Sequence, residues 1–340
     1  MEKKKLGFIS FAYAIGCILV VLGHSYPLGN AVTPKWMDIV RTAIYIFHMP
    51  LFFFISGFLL KFSGSVKKRG YWSFLVQKAK QLLVPYVFLS LLGYVPKLLV
   101  SSYISDKVEL SAGYVVRSLL VPRENIWGHF WFIPTLFIIY VFAATIITLA
   151  SKRSDQITMK VLPPVILLMS LAMHHFPIRT GWFSLQDVYI YSIYVALGYF
   201  SCDLVKDRKL DNRWIAALCA AVFFGFVVLR ANASTSGSFA LIPAVCMIYL
   251  VLAAGKAYER RGSTFLHFLE GKTFTVFLFS WPFQAVVEVL LNKVLHLNWY
   301  VVFLCMFAAG IAMPLLIYQV ASRLPAKVRR YSWIIGIQEA

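Results

Sequence analysis

Long apolar runs, separated by short polar connectors, account for most of the chain. Each run is close to the length that an α-helix needs to cross the roughly 30 Å hydrocarbon core of a membrane. The pattern predicts an all-α fold, a polytopic integral membrane bundle of about ten transmembrane helices. The apolar runs occupy residues 8–26, 43–60, 82–100, 129–150, 161–176, 188–205, 214–231, 238–255, 273–294 and 299–321.

The composition agrees with a membrane bundle. Of the 340 residues, 60% are hydrophobic and only 14% are charged, and the mean hydropathy is +0.74. Soluble domains carry roughly 25% charged residues, so this chain lacks the polar side chains needed to cover a soluble surface. We predict a single transmembrane domain over residues 1–340, with short cytoplasmic tails at 1–7 and 322–340.

The distribution of positive charge predicts an orientation. If the amino terminus lies in the cytoplasm, 24 of the 33 Lys and Arg residues fall in inner segments and nine in outer ones. Cytoplasmic connectors are enriched in Lys and Arg, so both termini are expected in the cytoplasm. The net charge of +19 is then explained by inner loops that face anionic membrane lipid, and no nucleic-acid partner is expected.

Common signatures of metal and nucleotide chemistry are absent from the sequence. The five cysteines lie in or beside apolar runs without the spacing of metal ligands, and they are interpreted as small buried side chains. No Gly-rich phosphate loop, HExxH motif or GxSxG elbow occurs. The sequence therefore predicts no metal site.

Two features concern packing rather than chemistry. Gly57 and Gly198 lie within apolar runs and are interpreted as positions where helices approach closely. The connector 101–128 is expected to contain a helix lying in the interface or capping a cavity. The apolar side of that helix consists of Tyr114, Val115, Leu119 and Leu120.

Two histidines stand where apolar runs meet the outer interface. His24 lies near the outer end of the first run, and His48 opens the second. The short connector makes these runs antiparallel neighbours, so both imidazoles are expected at a similar depth. A neutral imidazole in this costly position can accept a proton from a hydroxyl group. The residues alone leave three roles open: catalysis, proton relay in a transporter, and hydrogen bonding between helices.

Glu288 is a carboxylate placed well inside an apolar run. It follows Trp281 and Pro282, where the proline removes a backbone hydrogen bond and bends the helix. A buried carboxylate has to be paired or protonated. Glu288 is therefore expected to orient a histidine, to bind a substrate hydroxyl or to join two helices.

The inner stretch 61–81 combines six cations with aromatic side chains. It is interpreted either as an ordinary positive-inside anchor or as a surface that attracts a phosphorylated cytosolic donor. The residues assigned to donor binding are Lys67, Lys68, Arg69, Lys78 and Lys80.

Several motifs occur in the order found in one family of membrane enzymes. They are ILVVLGHS in the first run, FHMPLFFFISGF at the second, KAKQLLVPYVF before the third, HFWFIPTLF at the fourth and EGKTFTVFLFSWPF near the end. With these motifs the chain resembles the membrane acyltransferase-3 family, bacterial enzymes that O-acylate surface polysaccharides and related acceptors. The resemblance covers nearly the whole chain, and FHMPLFFFISGF is its most diagnostic string.

The resemblance implies a cytosolic acyl thioester such as acetyl-CoA as donor and a hydroxyl on the outer side as acceptor. It implies that His24 is the catalytic histidine of the first span. The chain departs from the family pattern at Tyr13, eleven residues before His24, where the family usually has Arg or Lys in a donor-binding role. It departs again at Ser280-Trp281-Pro282, where the family often has a histidine.

The leading hypothesis is an integral-membrane O-acyltransferase in the inner (plasma) membrane of a bacterium, with acetyl as the favoured group and a cell-surface or exopolysaccharide glycan as acceptor. His24 acts as general base or carries the acyl group, and His48 supports or orients His24. Glu288 polarises or pairs with a histidine or a substrate hydroxyl. Polysaccharide synthase or export machinery is a candidate partner. The alternatives are an O-succinyltransferase of the same family, an exporter of a glycan intermediate, and an inactive partner of a synthase complex.

Overall fold

The computed structural model describes residues 6–26, 34–99, 109, 111–152, 156–232 and 240–337. Within these residues the chain forms α-helices, short 3₁₀ turns and one π-helical segment, Val289–Val294, and no strand. The helices are α1 (Gly7–His24), α2 (Lys35–Ser63), α3 (Ser65–Arg69), α4 (Tyr71–Leu99), α5 (Ala112–Leu120), α6 (Phe132–Lys152), α7 (Gln156–His175), α8 (Leu185–Asp207), α9 (Arg213–Asn232), α10 (Leu241–Arg260), α11 (Thr273–Glu288), α12 (Trp299–Arg323) and α13 (Ala326–Arg329).

The predicted membrane bundle is confirmed. Within the described part of the chain, nine helices are long and apolar enough to cross a membrane. The predicted run 161–176 is also helical, but its apolar part, Lys160–His175, is shorter than the other nine. The placement of both termini in the cytoplasm stays a prediction, and tail residues 1–5 and 338–340 lie outside the described residues.

Two helices begin earlier than the apolar pattern predicts. α2 starts at Lys35 rather than at 43, and α4 starts at Tyr71 rather than at 82. Hydropathy marks only the part of a helix inside hydrocarbon, whereas a helix continues into the interface where Lys and Arg are solvated. The inner stretch 61–81 is therefore mostly helical, and it is interrupted at Gly64 and Gly70, whose φ angles are 58° and 79°.

The helix expected in the long connector is α5. Its predicted apolar side is half-buried, while Val116 and Arg117 on the other side are exposed. The hydroxyl of Ser111 caps the helix by accepting a hydrogen bond from the Tyr114 backbone N–H at 3.1 Å. Residues 100–108 and 110 of this connector lie outside the described residues.

α2 is the central helix of the bundle, and its tightest contact is with α8. A Cβ atom on Gly57 would lie 2.0 Å from the Val195 carbonyl oxygen, and one on Gly198 would lie 2.0 Å from the Phe54 carbonyl oxygen. The two backbones approach this closely only because both positions lack a side chain. The interpretation of both glycines as packing positions is confirmed.

Replacement of Gly57 by alanine is expected to destabilise the bundle by about 1–3 kcal/mol, because the added methyl group forces α2 and α8 apart. The measurement is the Tm of the purified protein in detergent. Gly225→Ala on α9 is the matched control, since a Cβ there meets nothing within 4 Å and alanine favours a helix. Equal Tm values for both variants would contradict the proposed role of the α2–α8 crossing.

Candidate functional site

Three histidines come together at one end of the bundle, called here the histidine end because α1 ends there at His24. His48 lies on α2, and His129 lies on the 3₁₀ turn Gly128–Trp131 that leads into α6. The ring centroids of His24 and His129 are 6.2 Å apart. The Tyr45 ring lies 6.1 Å from His24 and 5.1 Å from His48, so it links the first two histidines.

The hydrogen bonds of the imidazoles define which ring nitrogens are available to bond to a substrate. Nδ1 of His48 lies 2.8 Å from the Ile44 carbonyl oxygen. A carbonyl only accepts, so Nδ1 carries the proton and Nε2 is left as an acceptor. The buried His129 ring lies against the backbone of Phe277 and Leu278, but neither of its nitrogens has a hydrogen bond of normal geometry within the described residues.

An aromatic wall surrounds His129. Its ring centroid lies 4.6 Å from that of Phe130, 5.4 Å from that of Phe277 and 6.0 Å from that of Trp281. Trp281 also has the Lys97 ammonium 5.8 Å from its ring centroid, a cation–π arrangement. The Trp281 side chain thus forms part of the His129 wall.

Buried hydrogen bonds fix the connector that carries His129. The Asn125 amide nitrogen lies 3.2 Å from the Tyr86 hydroxyl, 3.0 Å from the Ser90 hydroxyl and 3.0 Å from the Ser118 carbonyl oxygen. The Lys97 ammonium donates to the Ile126 carbonyl oxygen at 2.8 Å. These contacts join the connector to α4 and α5, so the turn before α6 has a defined position.

An ion pair joins the same connector to α8. The Arg123 guanidinium donates to both oxygens of the buried Asp187 carboxylate, with a shortest distance of 2.6 Å, and lies 4.2 Å from the Trp131 ring centroid. Burial acts to lower the pKa of Arg123, but the hydrogen bonds and charge of Asp187 raise the pKa above its usual value, so the guanidinium stays charged. A bidentate pair of this kind defines orientation as well as distance.

Gln284 of α11 fixes the end of α1 beside His24. Its amide nitrogen donates to the Val21 carbonyl oxygen and lies the same distance, 2.8 Å, from the Ser25 hydroxyl. Gly310 of α12 makes room for this contact, because a Cβ there would lie 2.6 Å from Val21 and 2.9 Å from Gln284. Two later helices thus hold the end of α1 on which the catalytic candidate His24 lies.

Glu288 ends α11 one turn beyond Gln284, on the same face of the helix and at the histidine end. It is 8% exposed. The structure therefore brings His24 and His48 together, adds His129, and places Glu288 on a neighbouring helix at the same end of the bundle.

The opposite end, where α1 begins and α3 lies, is called here the basic end. The predicted donor-binding residues divide into two groups there. Lys78 turns inward, with its ammonium 5.1 Å from the Tyr140 ring centroid and 5.9 Å from that of Phe74. The other four are exposed: Lys67, Lys68, Arg69 and Lys80.

Tyr13 and Lys78 both interact with Tyr140. The hydroxyl groups of Tyr13 and Tyr140 both interact with the Ser56 side chain inside the bundle. Tyr13 also lines a cavity of about 250 Å³ at the basic end, together with Thr273 at the start of α11. Tyr13 thus stands where the family usually has a basic residue, and Lys78 lies against the same Tyr140 ring environment.

Sequence reasoning missed His129, Tyr45 and Gln284. His129 carried a usable signal, because it opens the apolar run 129–150 just as His48 opens the second run. Tyr45 and Gln284 carried none, since a tyrosine at an interface and a glutamine in an apolar helix have many roles. Their place beside His24 follows from helix packing.

Comparisons with known proteins agree with this architecture. The family model described as acyltransferase domain (acyltransferase 3) matches residues 7–319. Nodulation protein NolL of Mesorhizobium japonicum is 31% identical over 144 residues, which cover 41% of this chain and 36% of that protein. Glucans biosynthesis protein C of Salmonella enteritidis is 25% identical over 185 residues, 53% of this chain and 46% of that protein.

The matched segments thus span less than half the length of these curated relatives. No solved structure shows a significant similarity to the chain. The family model, in contrast, covers nearly the whole sequence and includes all three histidines, Tyr13 and Glu288. The chain therefore belongs to the acyltransferase-3 family.

Proposed function

We propose that this protein is a bacterial inner-membrane O-acyltransferase that moves an acyl group from a cytosolic acyl-CoA to a hydroxyl of an extracytoplasmic glycan. The observation that carries the proposal is the cluster of His24, His48 and His129 at the end of the bundle opposite Lys78 and Tyr13. Acetyl-CoA is the favoured donor, and succinyl-CoA is the alternative. The name of the relative glucans biosynthesis protein C supports a glycan acceptor.

The chemistry needs only a few polar groups, because a thioester is already activated. His24 accepts the proton of the acceptor hydroxyl while the hydroxyl oxygen bonds to the thioester carbonyl carbon. The carbon–sulfur bond breaks, and the proton passes to the departing sulfur. In a second form of this mechanism a ring nitrogen of His24 bonds to the thioester carbonyl carbon, the carbon–sulfur bond breaks, and the coenzyme A thiolate leaves with the imidazole N–H proton. The acceptor hydroxyl then displaces the imidazole from the acyl group, and the hydroxyl proton returns to the ring.

The other polar residues of the histidine end have supporting roles. His129 is buried and has ring nitrogens available, which suits it to stabilise the oxyanion that forms at the carbonyl. Nε2 of His48 is an acceptor that orients a hydroxyl or a second imidazole. Gln284 keeps the end of α1 in place, and Glu288 supplies a carboxylate at the same end.

The donor approaches from the basic end. Exposed Lys67, Lys68, Arg69 and Lys80 attract the phosphates of coenzyme A, and Lys78 meets the donor inside the bundle. Eleven residues of α1 separate Tyr13 from His24, which is a rise of about 16 Å. The acyl group has to cover this distance, so the thioester arm of the donor extends into the bundle beside Tyr13.

His24→Ala is expected to reduce acyl transfer by about 10²–10⁴-fold, because the proton acceptor is removed. The assay follows label from acetyl-CoA into the surface glycan in membranes that contain the variant. His175→Ala is the matched control, since His175 lies at the same end but is exposed and bonds to the Leu171 carbonyl oxygen of its own helix at 3.0 Å. Undiminished transfer by His24→Ala would remove His24 from the mechanism.

Lys78→Met is expected to raise the KM for acetyl-CoA by about ten- to a hundredfold, because a charge-assisted contact with the donor phosphates is lost. The kcat at saturating donor should change little. Lys152→Met, an exposed lysine at the end of α6, is the control and should alter KM by less than about fivefold. Similar KM values for both variants would contradict the role of Lys78 in donor binding.

A further inference from the structure

A polar cavity at the histidine end has no part in the donor chemistry described above. It lies between α2, α7, α8 and α9 and has a volume of about 430 Å³, within the range of about 300–1,000 Å³ typical of small-molecule sites. Its polar wall includes Arg41, Tyr45, His174, Tyr191, Tyr194 and Arg230. No acidic side chain of the described residues lines it.

Two arginines give the cavity a positive charge. Arg230 is half-buried in the last turn of α9, and no carboxylate of the described chain forms an ion pair with it. Arg41 lies 3.3 Å from Asp38, but the two side chains are 46% and 49% exposed, so water screens this pair. Two guanidinium groups around one cavity favour an anionic ligand that accepts paired hydrogen bonds.

His174 adds a buried group that lacks a protein partner. Its Nδ1 lies 2.7 Å from the Ile190 carbonyl oxygen, so Nδ1 carries the proton and Nε2 is an acceptor. Nε2 is buried and has no hydrogen bond within the described residues. An unsatisfied buried acceptor is costly, and a ligand hydroxyl that donates to it removes that cost.

Tyr45 places this cavity next to His24 and His48. It lines the cavity, and its ring also contacts His24 and His48. Its hydroxyl donates to the Gly23 carbonyl oxygen at 3.3 Å, which holds the ring between the cavity and the end of α1. A glycan bound in the cavity therefore has its neighbouring hydroxyl groups close to His24.

We propose that the cavity is the acceptor subsite and that Arg230, with Arg41, selects glycans bearing an anionic group, a carboxylate or a phosphate, near the acylated sugar. The inference rests on the proposed acyl transfer and adds the chemical class of the acceptor. His174 accepts a hydrogen bond from a sugar hydroxyl, while Tyr45 forms the wall shared with the reaction centre.

The test measures how soluble oligosaccharides compete with the cell's own glycan for acylation in membrane vesicles supplied with labelled acetyl-CoA. Three probes of equal length are used: a neutral malto-oligosaccharide, the same chain oxidised to a uronic acid, and the same chain with a sugar phosphate. We expect the anionic probes to inhibit the wild type at concentrations on the order of tenfold lower than the neutral probe. The carboxylate and phosphate probes show which anion fits better.

Arg230→Gln is expected to abolish this preference, so that all three probes inhibit equally, while Arg179→Gln is the control and should retain it. Arg179 is an exposed arginine that does not line the cavity. Equal inhibition by all probes in the wild type, or no inhibition, would overturn the inference. A preference that survives in Arg230→Gln would also overturn it, because Arg230 would then not be the source of the preference. A wild-type preference that follows the anionic-lipid content of the vesicles would assign the arginines to lipid headgroups and would overturn it as well.

A donor-side measurement separates the two proposals. Turnover of acetyl-CoA that depends on His24 reports acyl transfer without reference to the charge of the acceptor. If that turnover is present and the anionic preference is absent, only the acceptor inference is wrong. If no turnover depends on His24, the proposed mechanism itself is wrong.

Discussion

The close crossing of α2 and α8 is the contact on which the candidate site depends. Gly57 and Gly198 allow the two backbones to touch, and this contact fixes the position of α8 in the bundle. The first turn of α8 holds Asp187, which pairs with Arg123 on the connector before α6. Since that connector ends in His129, helix packing deep in the bundle determines where the third imidazole lies.

Polar groups in a membrane interior need protein partners, because lipid offers none. Most of the histidine end follows this rule, as the hydrogen bonds of Asn125 and of the Gln284 amide nitrogen show. Within the described residues, the buried side-chain atoms without a partner are both ring nitrogens of His129, Nε2 of His174, Oε1 of Gln284 and the hydroxyl of Ser184. We interpret His129 and His174 as groups whose missing partners are supplied by substrates, one at the reaction centre and one in the acceptor cavity.

The two ends of the bundle differ in how they present positive charge. The basic end exposes lysines and one arginine on α3 and α4 and turns Lys78 inward, which suits a phosphorylated donor that arrives from solution. The histidine end places Arg41 and Arg230 around a cavity, which suits a ligand held in one orientation. An acyl group that moves between these ends has to pass through the bundle along α1.

The sequence by itself determined the helical membrane fold, the approximate spans, the packing role of Gly57, and His24 and His48 as candidates, because apolar run length and local motifs are properties of neighbouring residues. It misplaced the starts of α2 and α4, since hydropathy does not report helix beyond the hydrocarbon region. Only the tertiary structure decided that His129 stands beside His24, 105 residues away, and that Lys78 alone of the basic group turns inward. These positions depend on how separate helices pack, and no local pattern records that.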